Sequence, residues 1–299
     1  MRVGYLGPEG TYTHEALLAL TAGDAAEALA LGTIHDVVAG VQSGALDEGV
    51  VPIENSLEGS VNATLDALAF ATDDVEITGE HVLAIHHCLI GAEPLALDRI
   101  AAVASHPQAL GQCAAFLRER LPAVAVRVAS STAEAVREVV AAPERRTAAI
   151  GPRSAAEHYG GEVLVADIED VAGNETRFAR LARRGARRPD GGAAGSGTSG
   201  VAGDDGSGAA WKTAVVFWPR ESDHPGWLVD CLSELARREV NLTRIESRPR
   251  KVGLGEYVFF VDCAGAVDDP AVAAGLDGVR DHVAQLRVLG SFPAAQSRR

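Results

Sequence analysis

Apolar residues come in short runs that alternate between two spacings along the chain. Residues 3–6, 49–53, 100–104, 124–129, 148–151, 163–168 and 178–181 form runs of four to six positions, the length of buried strands. Between them apolar side chains recur at helical spacing: Ala16, Leu17 and Leu20; Ile34, Val37, Val38 and Val41; Leu110, Cys113, Ala114 and Leu117; Val136, Val139 and Val140. Each stripe follows a residue suited to cap a helix: Thr11 or Thr13, Thr33, His106 with Pro107 behind it, and Ser131 or Thr132. A further helix is expected from Pro152 through Tyr159. The apolar span 75–91 is long and is expected to cross between two lobes. Strands alternating with helices predict an α/β region with a largely parallel sheet, or two small ones.

From 185 to 210 Gly, Ala, Ser and Asp dominate and no hydrophobic period survives, which predicts a flexible linker. Beyond it the pattern reads strand 211–218, helix 225–239, strand 240–245, strand 257–263, helix 269–282 and strand 286–292. That βαββαβ order is the ferredoxin-like plan, with Gly253-Leu254-Gly255 in the hairpin between the middle strands. So small a domain leaves sheet edges that invite pairing with another copy.

Composition narrows the class. The 299 residues are 47% hydrophobic and 5% aromatic, which suits a globular enzyme of about two domains with an aliphatic core. A formal net charge of −14 argues against nucleic acid as a ligand, because phosphate binding needs concentrated Lys and Arg. Arg180, Arg183, Arg184, Arg187 and Arg188 lack interleaved aromatics and read as a solvated linker edge. Cys88, Cys113, Cys231 and Cys263 show no metal-binding spacing and read as reduced, buried thiols. No apolar stretch approaches about 18 residues, and the run after Met1 is too short for a signal peptide. The expected setting is the cytoplasm, without membrane attachment.

Four stretches carry candidate chemistry, three of them where a strand gives way to a helix. Gly7-Pro8-Glu9-Gly10 is a glycine-rich turn that presents backbone N–H groups beside a helix N-terminus, a place suited to an anion. The stretch from Glu54 to Asp66 is dense in carboxylates, amides and hydroxyls, beyond what a capping loop needs. Ser105-His106-Pro107-Gln108 opens a helix. Asn174-Glu175-Thr176-Arg177-Phe178 places a hydroxyl, a fixed positive charge and an aromatic ring in succession. In an extended chain Thr176 and Phe178 share one side and Arg177 takes the other; a turn at Gly173-Asn174 could instead gather all three at a strand end. The adjacent His86 and His87 point apart on a strand, cannot chelate one ion, and read as structural.

Together these motifs resemble the prephenate dehydratase family over nearly the full length. They are Gly7-Pro8-Glu9-Gly10-Thr11, Pro52-Ile53-Glu54-Asn55-Ser56 with Glu58-Gly59-Ser60-Val61, Ser105-His106-Pro107-Gln108-Ala109-Leu110, and Asn174-Glu175-Thr176-Arg177-Phe178. Asn241-Leu242-Thr243-Arg244-Ile245-Glu246-Ser247-Arg248-Pro249 resembles the signature of that family's regulatory ACT domain. The resemblance implies a two-lobed catalytic domain like periplasmic binding proteins over 1–184, the linker at 185–210, an ACT domain at 211–292 and a tail at 293–299. It implies loss of carbon dioxide and the ring hydroxyl from prephenate to give phenylpyruvate, with no metal or cofactor. Catalysis falls by resemblance to Thr176, Arg177 and Phe178, and substrate binding to Thr11, Glu54, Asn55, Ser56, Gln108 and Asn174. L-phenylalanine is the implied effector, bound by Gly226, Leu228, Asn241, Leu242, Glu246, Ser247 and Arg248 in a homo-oligomer, either dimer or tetramer. The expected form is the monofunctional one, without a chorismate-mutase segment. The chain departs from the family pattern at Tyr12 and Thr13, conservatively, and at Trp227, which adds bulk near the expected effector pocket. Arogenate dehydratase and a non-catalytic amino-acid sensor are the alternatives.

Overall fold

The computed structural model describes residues 1–22, 25–143, 146–186, 210–220 and 224–295. Most of the expected linker at 185–210 and the end of the expected tail at 293–299 lie outside these residues. The chain runs β1 (Arg2–Leu6), α1 (Tyr12–Leu20), β2 (Glu27–Leu31), α2 (Ile34–Ser43), β3 (Glu48–Asn55), β4 (Gly59–Ser60) and α3 (Asn62–Asp66). A π-helical turn (Ala67–Ala71) continues α3, and β5 (Val75–Ala84) follows. Then come β6 (Cys88–Gly91), β7 (Ala102–Ser105), α4 (Pro107–Gln112), α5 (Ala114–Arg120), β8 (Ala125–Val128), α6 (Thr132–Val140), β9 (Thr147–Gly151), α7 (Arg153–Tyr159) and β10 (Glu162–Val165). The last elements are β11 (Glu175–Arg183), β12 (Trp211–Trp218), α8 (Trp227–Ala236), β13 (Leu242–Pro249), β14 (Tyr257–Ala264), α9 (Pro270–His282) and β15 (Gln285–Pro293).

Of the two arrangements expected, two sheets form rather than one, and both are mixed. The first has the order β2-β1-β3-β11-β5 with β4 on β3, and the second β10-β6-β9-β7-β8. Strands joined through a helix pair in parallel, as in β1 with β2 and β7 with β8. β6 pairs antiparallel to both β9 and β10. The chain passes from the first sheet to the second at His86-His87, the crossing expected within 75–91, and returns through the segment before β11.

Packing divides the chain into two compact units, Met1–Val37 with Gly49–Thr64 and His81–Phe178, and Val38–Glu48 with Leu65–Glu80 and Ala179–Arg299. In the first unit Val3, Tyr5, Ala16, Leu17, Val50 and Phe178 bury one core, so the stripe expected for α1 packs as its spacing requires. A second core joins Ala104, Ala133, Val136, Val139 and Ala149, and a third Leu89, Val103, Cys113, Leu121 and Ile150. The helix expected through 110–117 breaks at Cys113 (φ −118°, ψ 19°) into α4 and α5. Gly10 sits at φ +76°, and a Cβ there would come within 3.1 Å of the Ala155 backbone, so the turn before α1 requires glycine.

The second unit contains the βαββαβ domain, with sheet order β13-β14-β12-β15 as the ferredoxin-like plan demands. Its core joins Val215, Phe217, Cys231, Leu235, Val261 and Leu276. The strand expected at 240–245 extends to Pro249. β13 is an edge strand whose residues alternate between half-buried and exposed, so polar Glu246 and Ser247 fit it. Positive side chains fix this domain to the 65–80 segment. The Arg248 guanidinium donates to both Asp66 carboxylate oxygens at 3.0 Å, and Lys251 Nζ lies 2.8 Å from Asp66. Arg287 donates to the Thr72 carbonyl at 2.8 Å, and also to the Leu68 carbonyl and to Asp73, while covering the Trp218 ring. Lys212 reaches Glu80 at 2.7 Å. Burial tends to raise the Asp66 carboxyl pKa, but hydrogen bonds from Lys251 and Arg248 outweigh it and hold it below the usual 3.8.

Candidate active site

The first unit holds a cavity of about 640 Å³. Three helix N-termini reach it: Thr11, Tyr12 and Thr13 from α1, His106 and Gln108 from α4, and Ser131 and Thr132 from α6. Thr11 and Ser131 are N-caps whose side-chain oxygens accept from the N–H of His14 and Glu134. Among the described residues that line the cavity there is no Lys, Arg, Asp or Glu. What such a lining offers an anion is the N-terminal end of each helix.

β11 begins beside this cavity, and its alternation sorts the expected catalytic residues. Thr176 and Phe178 line the cavity, while Arg177 does not. Phe178 is only 1% exposed and spends most of its surface in the core beneath. Arg177 is buried on the other face, where its Nε and Nη2 both lie 3.0 Å from Glu54 Oε2. Glu54 and Ser56 also stay outside the lining, whereas Thr11, Asn55, Gln108 and Asn174 are part of it. Ser56 instead straps the strand start: its N–H donates to Glu175 O at 2.8 Å, and its Oγ accepts from Glu175 N at 2.9 Å. The Gly10 N–H, expected to face a ligand carboxylate, donates to His14 Nδ1 at 3.2 Å.

Asn55 organises the donors. Its Oδ1 accepts the backbone N–H groups of Leu57 and Glu58, both at 3.0 Å, which fixes the amide's orientation. Its Nδ2 therefore faces Asn174 Oδ1 at 2.7 Å and Thr176 Oγ1 at 2.9 Å. Because Thr176 accepts from Asn55, its own O–H hydrogen is left to point elsewhere. Asn174 Nδ2 in turn faces Gln112 Oε1 at 3.5 Å, and Gln112 Nε2 donates to Glu58 at 3.3 Å.

Gln112, His87 and Tyr12 are residues that the sequence motifs do not single out for the site. Gln112 lies four positions after Gln108 on α4, so helical spacing puts both on one face, and that was the available signal. His87, read as structural, is 3% exposed and lines the cavity. Its Nε2 lies 2.9 Å from Gln112 Oε1 and its Nδ1 3.2 Å from Tyr12 Oη. Burial lowers the His87 pKa, against the Gln112 hydrogen bond and the Glu169 charge, which raise it. Burial also pushes the Tyr12 phenol well above its usual range. The neighbouring His86 faces out, 2.8 Å from Glu169 and 3.5 Å from Asp167. All four cysteines are free and buried, and burial takes Cys113 and Cys263 up to about 12.

The residues expected to hold an effector lie in the second unit. Gly226 caps α8 at φ +98°, Leu228 and Leu242 pack on the same core, and the Asn241 carbonyl accepts from Ala264 N. Glu246, Ser247 and Arg248 lie on β13, with the Arg248 fork turned to Asp66. Trp227 packs edge-on against Phe217 and Phe259, with centroids 6.4 and 5.5 Å away, so its bulk fills an aromatic cluster of the domain itself.

Three helix N-termini and the Thr176 hydroxyl meet at one cavity of an α/β region, an arrangement chemically suited to a small anion. Residues 3–186 match the family model for prephenate dehydratase. A prephenate dehydratase from Mycolicibacterium vanbaalenii is 37% identical over 97% of this chain and 90% of its own. A bifunctional chorismate mutase/prephenate dehydratase from Stutzerimonas stutzeri is 38% identical over 99% of this chain and 74% of its own. The crystal structure of prephenate dehydratase from Arthrobacter aurescens, in complex with L-Phe, superposes with a TM-score of 0.83 at 33% identity, covering 98% of this chain and 90% of the other. The chain belongs to the prephenate dehydratase family.

Proposed function

We propose that the cavity binds prephenate and that Thr176 meets the ring hydroxyl as it leaves. The reaction breaks the bond between the ring and its carboxylate, and the released electron pair drives out the hydroxyl as the ring becomes aromatic. Phenylpyruvate, carbon dioxide and water result, with one proton consumed. The observation that carries the reading is the hydrogen bond from Asn55 into Thr176 Oγ1, because it leaves the threonine hydrogen available to a leaving oxygen. A threonine is a weak acid, so it acts as a positioned donor. The two substrate carboxylates fit the N-termini of α1 and α6, where hydroxyls and backbone N–H groups face the cavity. Phe178 brings an aromatic surface to the flat ring, and Arg177 holds Glu54 behind the strand. The donors fix one geometry for the bound substrate.

We take 1–184 as the catalytic domain and 211–292 as an ACT domain through which L-phenylalanine regulates the enzyme in the cytoplasm. The support for the effector is the L-Phe complex of the Arthrobacter relative. The open edge of β13, where Ile245 is 48% exposed, suits pairing with a second copy in a homodimer. The test is to mix the protein with prephenate and follow phenylpyruvate, with and without L-phenylalanine. Formation suppressed by the amino acid is expected. Failure to form phenylpyruvate sinks the catalytic reading, and unsuppressed formation sinks the regulatory one.

A further inference from the structure

The hydrogen bonds around His87 need one hydrogen more than a neutral ring supplies. Gln112 must present its oxygen to His87 Nε2, because Asn55 fixes Asn174, Asn174 donates to Gln112 Oε1, and Gln112 Nε2 donates to Glu58. The 2.9 Å contact with Nε2 therefore calls for an N–H on that nitrogen. On the other side Tyr12 has a single hydroxyl hydrogen, committed to the His86 carbonyl at 2.6 Å. The Tyr12 oxygen then shows His87 Nδ1 a lone pair at 3.2 Å, which calls for an N–H there too. A neutral imidazole satisfies one side only, whereas an imidazolium satisfies both.

We propose that His87 takes up a proton from solvent when the substrate dianion enters the cavity, and so becomes the full positive charge that the lining otherwise lacks. The inference rests on the reading of this cavity as the prephenate site. The groups facing the ring are consistent with it. Tyr12 on α1 and Gln112 on α4 hold the two nitrogens, and the Glu169 carboxylate accepts the His87 backbone N–H at 2.9 Å. His86 adds its own imidazole next door, outside the cavity lining, and the Cys88 and Cys113 thiols near Tyr12 stay protonated as burial raises them. In the empty cavity burial favours the neutral ring. Two incoming carboxylates reverse that preference, so binding and protonation are linked.

The sign follows directly. Between the His87 pKa of the empty protein and the higher value of the complex, binding consumes a proton, so kcat/KM falls tenfold for each unit of rising pH. His87→Gln keeps an N–H donor for Gln112 but cannot charge. That variant is expected to lose this alkaline limb and to raise KM by about 10-fold, the value of one charge-assisted contact, with kcat nearly unchanged. Its melting curve separates this from misfolding. Independently, 15N-histidine spectra of the slow Thr176→Ala protein titrated with prephenate are expected to show the His87 ring moving to the imidazolium pattern. A wild-type limb that survives in His87→Gln, or a ring that stays neutral with prephenate bound to the Thr176→Ala protein, overturns the proposal. Wild-type protein that does not turn over prephenate overturns the underlying site reading instead.

Discussion

The cleft and the C-terminal domain hold their partners in opposite ways. In the cleft, order comes from neutral amides and hydroxyls of fixed direction, running from Asn55 to Thr176, Asn174 and Gln112. In the second unit it comes from ion pairs, where Arg248, Lys251, Arg287 and Lys212 grip Asp66, Asp73 and Glu80. Neutral hydrogen bonds have direction and little response to salt. Ion pairs at partly exposed sites have little direction and respond to both salt and pH. A site that must aim one hydrogen uses the first kind, and a docking surface tolerates the second.

The largest expected effect tests the end of the neutral chain. Thr176→Ala should lower kcat by about 100-fold or more while the melting temperature holds, as for loss of a group that assists proton transfer. Near-normal phenylpyruvate formation would remove Thr176 from the mechanism. Next comes Asn55→Asp, which keeps size but replaces the donating NH2 with an acceptor. Thr176 would then spend its hydrogen on the new carboxylate, and kcat should fall by about 10- to 100-fold. If kcat is retained, direction is not what the cleft protects. The smallest effect belongs to the ionic side. Asp66→Asn should lower the melting temperature by about 2–4 °C at neutral pH and low salt, and less at high salt. Because the folded-state pKa of Asp66 is depressed, its contribution is complete above the usual 3.8 and disappears as pH falls through the folded value. Wild type and Asp66→Asn should therefore melt alike in strong acid. A gap that persists there would assign the effect to packing.

The sequence made the elements of both regions readable, because each lies in a local period. For 175–178 the sequence left two arrangements open, and the strand alternation holds: Thr176 and Phe178 line the cavity while Arg177 does not. What local patterns could not reveal was the path of the polar chain. His87 contacts Tyr12 and Gln112, which lie 75 and 25 positions away, and only the crossing between sheets brings them together. The doublet His86-His87 gave half of the answer, since its members do point apart, but nothing local told which side was the cavity. The extension of β13 through Pro249 was hidden for a related reason. An edge strand shows water one face and its two ends, so its composition resembles a loop.

The three tryptophans, Trp211, Trp218 and Trp227, all belong to the C-terminal domain, and residues 1–184 have none. Trp227 sits edge-on against Phe217 and Phe259, and Trp218 lies under the Arg287 guanidinium. Indole emission from the unlabelled protein is therefore an optical signal from one half of the molecule alone. A spectral change on adding prephenate would originate outside the cavity, whose lining holds no tryptophan, and would report communication between the two halves without any engineered probe.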